Sequence, residues 1–267
     1  MTGILLAGCG RMGGALVTGW LEDGSIREIA VVEPGGAVPA DPRVRAFPAA
    51  GSLPADLAPD MVCFAVKPQL LDQVAPDYRR FVESGAAVLS VAAGKTLAGF
   101  ARHFGAAARV VRSMPNTPAA IGRGITVCVG SAGLDEETRG LATRLMGAVG
   151  AVEWVEDEAL LDAVTAVSGS GPAYVFLMIE ALAEAGTKAG LPAALAMRLA
   201  RATVAGAGEL ARVSPESAAA LRRGVTSPGG TTQAALDVLM SAEGLQPLLD
   251  RAVAAAAIRS RQLAGTP

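Results

Sequence analysis

One histidine, His103, serves the whole chain of 267 residues, and tyrosine is nearly as scarce, at Tyr78 and Tyr174. His103 lies in a polar helical stretch and Tyr78 among charges, so both are expected at the surface. No Ser-x-x-x-Lys or His–Asp arrangement is convincing, which leaves conventional acid–base catalysis with few candidates. Cysteine is also rare. Cys9, Cys63 and Cys128 are far apart and odd in number, which excludes a disulfide framework and the spacing of metal ligands. Each sits in an apolar, strand-like context, so buried thiols in a reducing compartment, the cytoplasm, are expected. Basic charge shows neither an excess nor a cluster: 23 Lys and Arg against 25 Asp and Glu leave a net charge of −2, so no nucleic-acid partner is expected. The opening MTGILLAGCGRMGG lacks the charged region that precedes the apolar run of a secretory signal. No stretch reaches about 18 uninterrupted apolar residues, so no membrane span is expected.

What the chain has in abundance is small and aliphatic side chains. Half of it is hydrophobic (51%), only 18% is charged, and 32 residues are glycine, a balance that excludes a disordered chain. Short apolar runs at 4–7, 29–32, 61–66, 86–91, 109–111, 125–129 and 152–155 read as strands, with helical sequence following several of them, as at 70–82. That alternation predicts a mostly parallel sheet covered by helices. The rhythm changes near Val155, and only helical segments follow. Pro172 opens one and Gly190 ends it before Pro192 opens the next. Ser214-Pro215 reads as a cap followed by a proline at the first helical position, and Thr231 or Thr232 as the cap of a later helix. The loosest segment is 34–59. The expected fold class is therefore an α/β Rossmann domain over 1–155 followed by an all-α domain over 156–267. Residues 172–211 are dominated by Ala, Leu, Met and Val, with sparse charges such as Glu180, Glu184, Lys188 and Arg198. A helix apolar around its circumference must be covered on several sides, and about 110 residues cannot do that alone, so a homodimer or a multiple of dimers is expected.

Gly8-Cys9-Gly10-Arg11-Met12-Gly13 is a G-x-G-x-x-G between a strand and a helix. In that context Gly8 makes the turn, Gly10 lets a diphosphate reach the backbone at the helix N-terminus, and Gly13 lets helix pack on strand. Glu33 closes the second strand, 20 residues beyond Gly13. An acid there suits a ribose 2′-hydroxyl and repels a 2′-phosphate, which favours NAD. The nearest downstream arginines are Arg43 and Arg45. Ala65-Val66-Lys67-Pro68 and Ala92-Ala93-Gly94 also follow strands, where open α/β sheets bind ligands.

The missing acids bear on the substrate. A ketone needs a proton donor for its developing alkoxide, whereas a protonated C=N bond ends as a neutral amine without one. Ser168-Gly169-Ser170-Gly171-Pro172 and Thr226-Ser227-Pro228-Gly229-Gly230-Thr231-Thr232 each join hydroxyls and free amides to a helix N-terminus, which makes a carboxylate site without a cation.

These segments resemble the pyrroline-5-carboxylate reductase family over essentially the whole chain: GCGRMGGAL at 8–16, FAVKPQ at 64–69, SVAAGKTL at 90–97, RSMPNTPAAIGRG at 112–124, AVSGSGPAYVFLMIEAL at 166–182 and VTSPGGTTQAAL at 225–236. The last three are far more specific than the glycine fingerprint. The resemblance implies a Rossmann domain and a helical domain that interlocks with a partner subunit. It implies hydride transfer from NAD(P)H to the C=N carbon of 1-pyrroline-5-carboxylate, giving L-proline. The cofactor would be lined by Gly8, Gly10, Arg11, Met12, Gly13, Glu33, Ala65, Val66, Lys67, Pro68, Ala92, Ala93, Gly94 and Asn116. The substrate carboxylate would lie on Ser227, Gly229, Gly230, Thr231 and Thr232, with Ser168, Gly169 and Ser170 nearby. Thr232, or Ser227, would bond the ring nitrogen. The resemblance implies NADPH, and Glu33-Pro34-Gly35 departs from the family in the direction of NADH. Arg222-Arg223-Gly224 stands where the family often carries an acid.

Two other readings make different predictions. A β-hydroxyacid dehydrogenase relative would carry a catalytic lysine on the helix after Pro172, and none occurs before Lys188. A non-catalytic nicotinamide-binding regulator would have lost the substrate loop, yet SPGGTT is whole.

Overall fold

The computed structural model describes residues 2–265. Strands β1 (Thr2–Ala7), β2 (Ile26–Val32), β3 (Val44–Phe47), β4 (Met61–Phe64), β5 (Ala87–Ser90), β6 (Val110–Met114), β7 (Gly124–Gly130) and β8 (Gly150–Trp154) form one sheet in the order 3-2-1-4-5-6-7-8. The first six run parallel, β7 turns antiparallel to β6, and β8 is parallel to β7. Helices α1 (Arg11–Glu22), α2 (Pro68–Val74), α3 (Arg79–Glu83), α4 (Leu97–Phe104), α5 (Glu136–Gly147) and α6 (Leu160–Val164) intersperse with them. After these come α7 (Gly171–Lys188), α8 (Ala193–Val213), α9 (Ala218–Gly224), α10 (Thr231–Leu239) and α11 (Leu245–Ala264).

The central strands read as unbroken apolar runs because both sheet faces are covered. Alternate residues of β1 enter different cores. Ile4 and Leu6 pack with Leu16, Val17 and Trp20 of α1 and Leu145 of α5. Leu5 and Ala7 pack with Phe64, Leu71, Phe81 and Phe100 on the other face. The period of two along a strand delivers this division. All three cysteines are buried. Because β1 pairs with β2 on one side and β4 on the other, the winding reverses at β1, and a crevice opens beyond its carboxyl end.

Five local expectations are corrected. Within 34–59 lies β3, an edge strand whose half-exposed Val-Arg-Ala-Phe carries too little apolar pattern to announce itself. The helix expected over 70–82 breaks into α2, a 3₁₀ turn at Ala75–Tyr78 and α3, where Pro76 lacks an N–H to donate. That turn swings Tyr78 inward, 2% exposed, its ring edge-on to Phe64 at 5.2 Å, so the charges flanking it in sequence misled. Ser214 ends α8, and the cap of α9 is Ser217, whose Oγ accepts the Ala220 N–H at 3.2 Å. Neither Thr231 nor Thr232 caps α10; its N-cap is Gly230, with no side-chain bond.

By internal contacts the chain divides into two units, Met1–Gly169 with Ala256–Pro267, and Ser170–Ala255. The first holds the sheet. In the second the buried hydrophobic residues are Ala183, Ala196 and Ala200. Its larger apolar side chains lie open: Val175, Phe176, Leu177 and Met178 are 46–63% exposed on four successive positions of α7. At 100° per residue those positions cover most of the helix circumference. The stretch Leu160–Lys188 is, by length and composition only, long and apolar enough to cross a membrane.

Candidate active site

The glycine turn is built by close approach. Gly8 follows β1 with φ of +89°, and a Cβ there would lie 2.9 Å from the Ala65 carbonyl oxygen. A Cβ on Gly13 would lie 2.3 Å from the Gly8 carbonyl oxygen, so only glycine lets α1 start directly against the turn. Gly10 differs: its Cβ would meet nothing within 4 Å. Gly10 is also the N-cap of α1 and offers no side-chain acceptor, which leaves the first amides of that helix for a ligand.

Beside this turn lies a cleft of about 370 Å³ lined by Gly8, Gly10, Glu33, Ala65, Val66 and Lys67 among the expected residues. Glu33 stands one residue past β2 and reaches back. Its Oε2 accepts the Cys9 N–H at 2.6 Å, and its Oε1 accepts that of Gly35 at 3.4 Å. Burial, and secondarily the Glu33 carboxylate, raise the Cys9 thiol above its ordinary range, which keeps it neutral. Among the described residues, Lys67 is the only cationic one on the cleft wall. Arg43 is held by Asp41 at 3.0 Å and by the Leu21 carbonyl at 2.7 Å, while Arg45 lies over the Phe47 ring at 5.3 Å.

The far wall is Leu70, Val74 and Tyr78, which the sequence reading missed. The spacing of four between Leu70 and Val74 was an available signal, because it places them on one face of α2, whereas Tyr78 joins them through the 3₁₀ turn. Burial raises the Tyr78 phenol well above its usual range, so it acts as an apolar ring rather than an acid.

Other expected residues lie outside this cleft. Met12 packs into the core beneath α1, and Arg11 is exposed at its start. Pro68 begins α2. Ala92 is buried and Ala93 exposed, while a Cβ on Gly94 would lie 3.4 Å from the backbone of Leu263 and Ala264 on α11. Asn116 uses its Oδ1 to accept the Ile125 N–H at 3.0 Å, which leaves its amide NH₂ free to donate. His103 pairs through Nε2 with Asp72 at 3.0 Å, and Lys95 takes the other oxygen at 2.6 Å. Those hydrogen bonds, that of Lys95 foremost, hold the Asp72 carboxyl below its usual range. Among the described residues no group of His, Cys, Asp and Glu has the arrangement of a metal site.

The expected substrate residues fall in both units. Ser168 and Gly169 end the first, in a π-helical turn at Thr165–Gly169 where the Ser168 hydroxyl donates to the Val164 carbonyl at 3.0 Å. Ser170 begins the second and is the N-cap of α7. At 227–230 the Gly230 N–H donates to the Ser227 carbonyl at 3.0 Å and Gly229 has φ of +69°. That turn presents the start of α10 with its amides uncapped and the Thr231 and Thr232 hydroxyls beside them. An uncapped helix start flanked by hydroxyls is chemistry for a carboxylate.

Residues 158–263 match the family model described as pyrroline-5-carboxylate reductase dimerisation. The pyrroline-5-carboxylate reductase of Pisum sativum is 43% identical over 209 residues, covering 77% of this chain and 74% of the pea protein. Among solved structures, a pyrroline-5-carboxylate reductase from Coxiella burnetii superposes with a TM-score of 0.88 at 34% identity, over 98% of both chains. The pyrroline carboxylate reductase of Plasmodium falciparum, solved with NADP bound, gives 0.82 at 26% identity, again over 98% of both.

Proposed function

The chain belongs to the pyrroline-5-carboxylate reductase family, and on that premise we propose how its residues divide the work. It is an oxidoreductase that reduces the C=N bond of 1-pyrroline-5-carboxylate to give L-proline. The observation that carries the reading is the glycine turn at the winding reversal of the sheet, with uncapped α1 amides beside a cleft of about 370 Å³. Those amides, Gly8, Gly10 and the Ala65–Pro68 segment fit a nicotinamide dinucleotide, which when bound supplies the hydride. Arg11, Met12, Gly13, Ala92, Ala93, Gly94 and Asn116 shape its surroundings. At the start of α10, Ser227, Gly229, Gly230 and Thr231 bind the substrate carboxylate, and the Thr232 hydroxyl bonds the ring nitrogen. Ser168, Gly169 and Ser170 complete the substrate's polar contacts.

An iminium carbon that accepts hydride sends its π electrons to nitrogen, which ends as a neutral amine. No strong acid is needed, which agrees with a chain whose only histidine is tied to Asp72. Initial rates of NADPH and, separately, NADH oxidation with racemic pyrroline-5-carboxylate test the activity against a blank without substrate. Proline formation is expected, and its absence from folded protein would overturn the reading.

The family's NADPH remains a substrate here, and Glu33 tilts the choice toward NADH. Its carboxylate borders the cleft, Lys67 is the only cation on the wall among the described residues, and Arg43 and Arg45 are engaged elsewhere. Glu33→Ala is expected to raise the NADPH-to-NADH ratio of kcat/KM by about tenfold, the scale of one like-charge contact removed near a surface. An unchanged ratio would make Glu33 a bystander. Loss of its bond to Cys9 would slow both cofactors and leave the ratio alone, so the ratio isolates recognition.

The second unit assembles a homodimer. Three buried alanines cannot support it, while Phe176, Leu177, Leu199 and Leu210 stand 48–63% exposed. Light scattering is expected to give at least twice the 26.8 kDa of one chain, in even multiples. A stable monomer would refute this.

A further inference from the structure

Among the described residues six polar or charged ones are buried, four of them on the sheet, and three of those four, Ser90, Arg112 and Ser113, are adjacent on β5 and β6. The Ser113 hydroxyl donates to the Ser90 carbonyl at 2.9 Å, and the Ser90 hydroxyl accepts the Ala92 N–H at 3.2 Å. Arg112, with only 7% of its side chain exposed, donates from Nη1 to Glu158 Oε1 at 2.9 Å. The same oxygen accepts the Leu97 N–H at the start of α4 at 2.7 Å. One carboxylate oxygen thus joins three segments: the start of α4 just after loop 92–96, strand β6 just before 114–116, and the chain entering α6 ahead of the π turn. An apolar cluster ties the same three, with Leu97, Met114 and Val164 packed against Val127, Val129 and Leu161.

Burying an arginine–carboxylate pair costs about what the pair returns, so its value lies less in net stability than in where it pins the chain. We propose that Glu158 is a positioning residue: through Arg112 and the Leu97 amide it holds loop 92–96 and segment 114–116 in the arrangement that receives the reacting end of the cofactor. This rests on the reductase reading for the role of those segments, whereas the holding itself stands on the geometry.

Two variants separate positioning from bulk stability. Glu158→Asp keeps the charge for Arg112 but shortens the reach to Leu97. Arg112→Met with Glu158→Ala removes the pair without leaving a buried charge alone. Both are expected to melt near wild type, yet to lose turnover by about 10-fold or more, the scale of a small misplacement of reacting groups. In cofactor-free protein, amide exchange at 92–97 and 114–116 is expected to quicken while the rest of the sheet stays protected. Folded variants that turn over within about twofold of wild type would overturn the proposal. So would unchanged exchange, or a collapse of Tm in both variants, which would make the pair a stability element. If wild type fails to reduce the imine, the reductase reading falls, and the exchange measurement still decides whether Glu158 holds the loops.

Discussion

Gly10→Ala is expected to abolish most cofactor affinity while leaving the melting temperature of the ligand-free protein where it was. The added methyl meets no protein atom within 4 Å, and Gly10 has φ of −66°, a conformation open to alanine. Any loss must therefore come from the space that a ligand would use. The methyl would stand between the diphosphate and the first amides of α1, and contacts displaced by about 1 Å cost on the order of 100-fold. Gly13→Ala should behave in the opposite order. Its methyl would sit 2.3 Å from the Gly8 carbonyl oxygen, so α1 must move off the turn. Overpacking of that kind costs about 1–3 kcal/mol, enough to lower Tm by several degrees in a chain of this size, and affinity falls with it. Calorimetric melts of both variants, with titration of NADH and NADPH followed by fluorescence, check the pair. Gly10→Ala that binds normally would remove the turn from the cofactor site.

The second large effect is expected at the start of α10. Thr232→Ala should lower turnover by more than about 10-fold, as loss of a positioned hydrogen bond to the reacting nitrogen does. Thr232 is the second residue of a helix whose start has no side-chain cap, so alanine there disturbs no bond on which the fold relies. Thr232→Ser keeps the hydroxyl and is expected to recover most of the rate. Steady-state kinetics against pyrroline-5-carboxylate check both variants. Wild-type turnover from Thr232→Ala would move the hydrogen bond to Ser227 or to the backbone.

How legible each part was depends on how local its cause is. The strand–turn–helix around Gly8 could be read directly, because its requirements are written in neighbouring residues: an apolar run, glycines where a Cβ would collide, then helical sequence. The doubly covered sheet was legible for the same reason, since a strand buried on both faces has no polar alternation. Tyr78 was misread because a side chain's direction depends on the turn beneath it, and Pro76 set a turn that the flanking charges did not reveal. Ser217 replaced Ser214 as a cap because α8 runs on to Val213, and its end claims Ser214.

The sequence by itself determined the Rossmann strand rhythm, the glycine turn, the helical second half and, through its family motifs, the reaction. Each follows from patterns only a few residues long or from long matching segments. Tertiary structure alone decided that Glu33 reaches Cys9, that Arg43 reaches the Leu21 carbonyl, and that Glu158 meets Arg112 and Leu97 across 46 and 61 positions of chain. Hydrogen bonds act over about 3 Å whatever the separation in sequence. Nothing local in the chain marks such partners before the sheet brings them together.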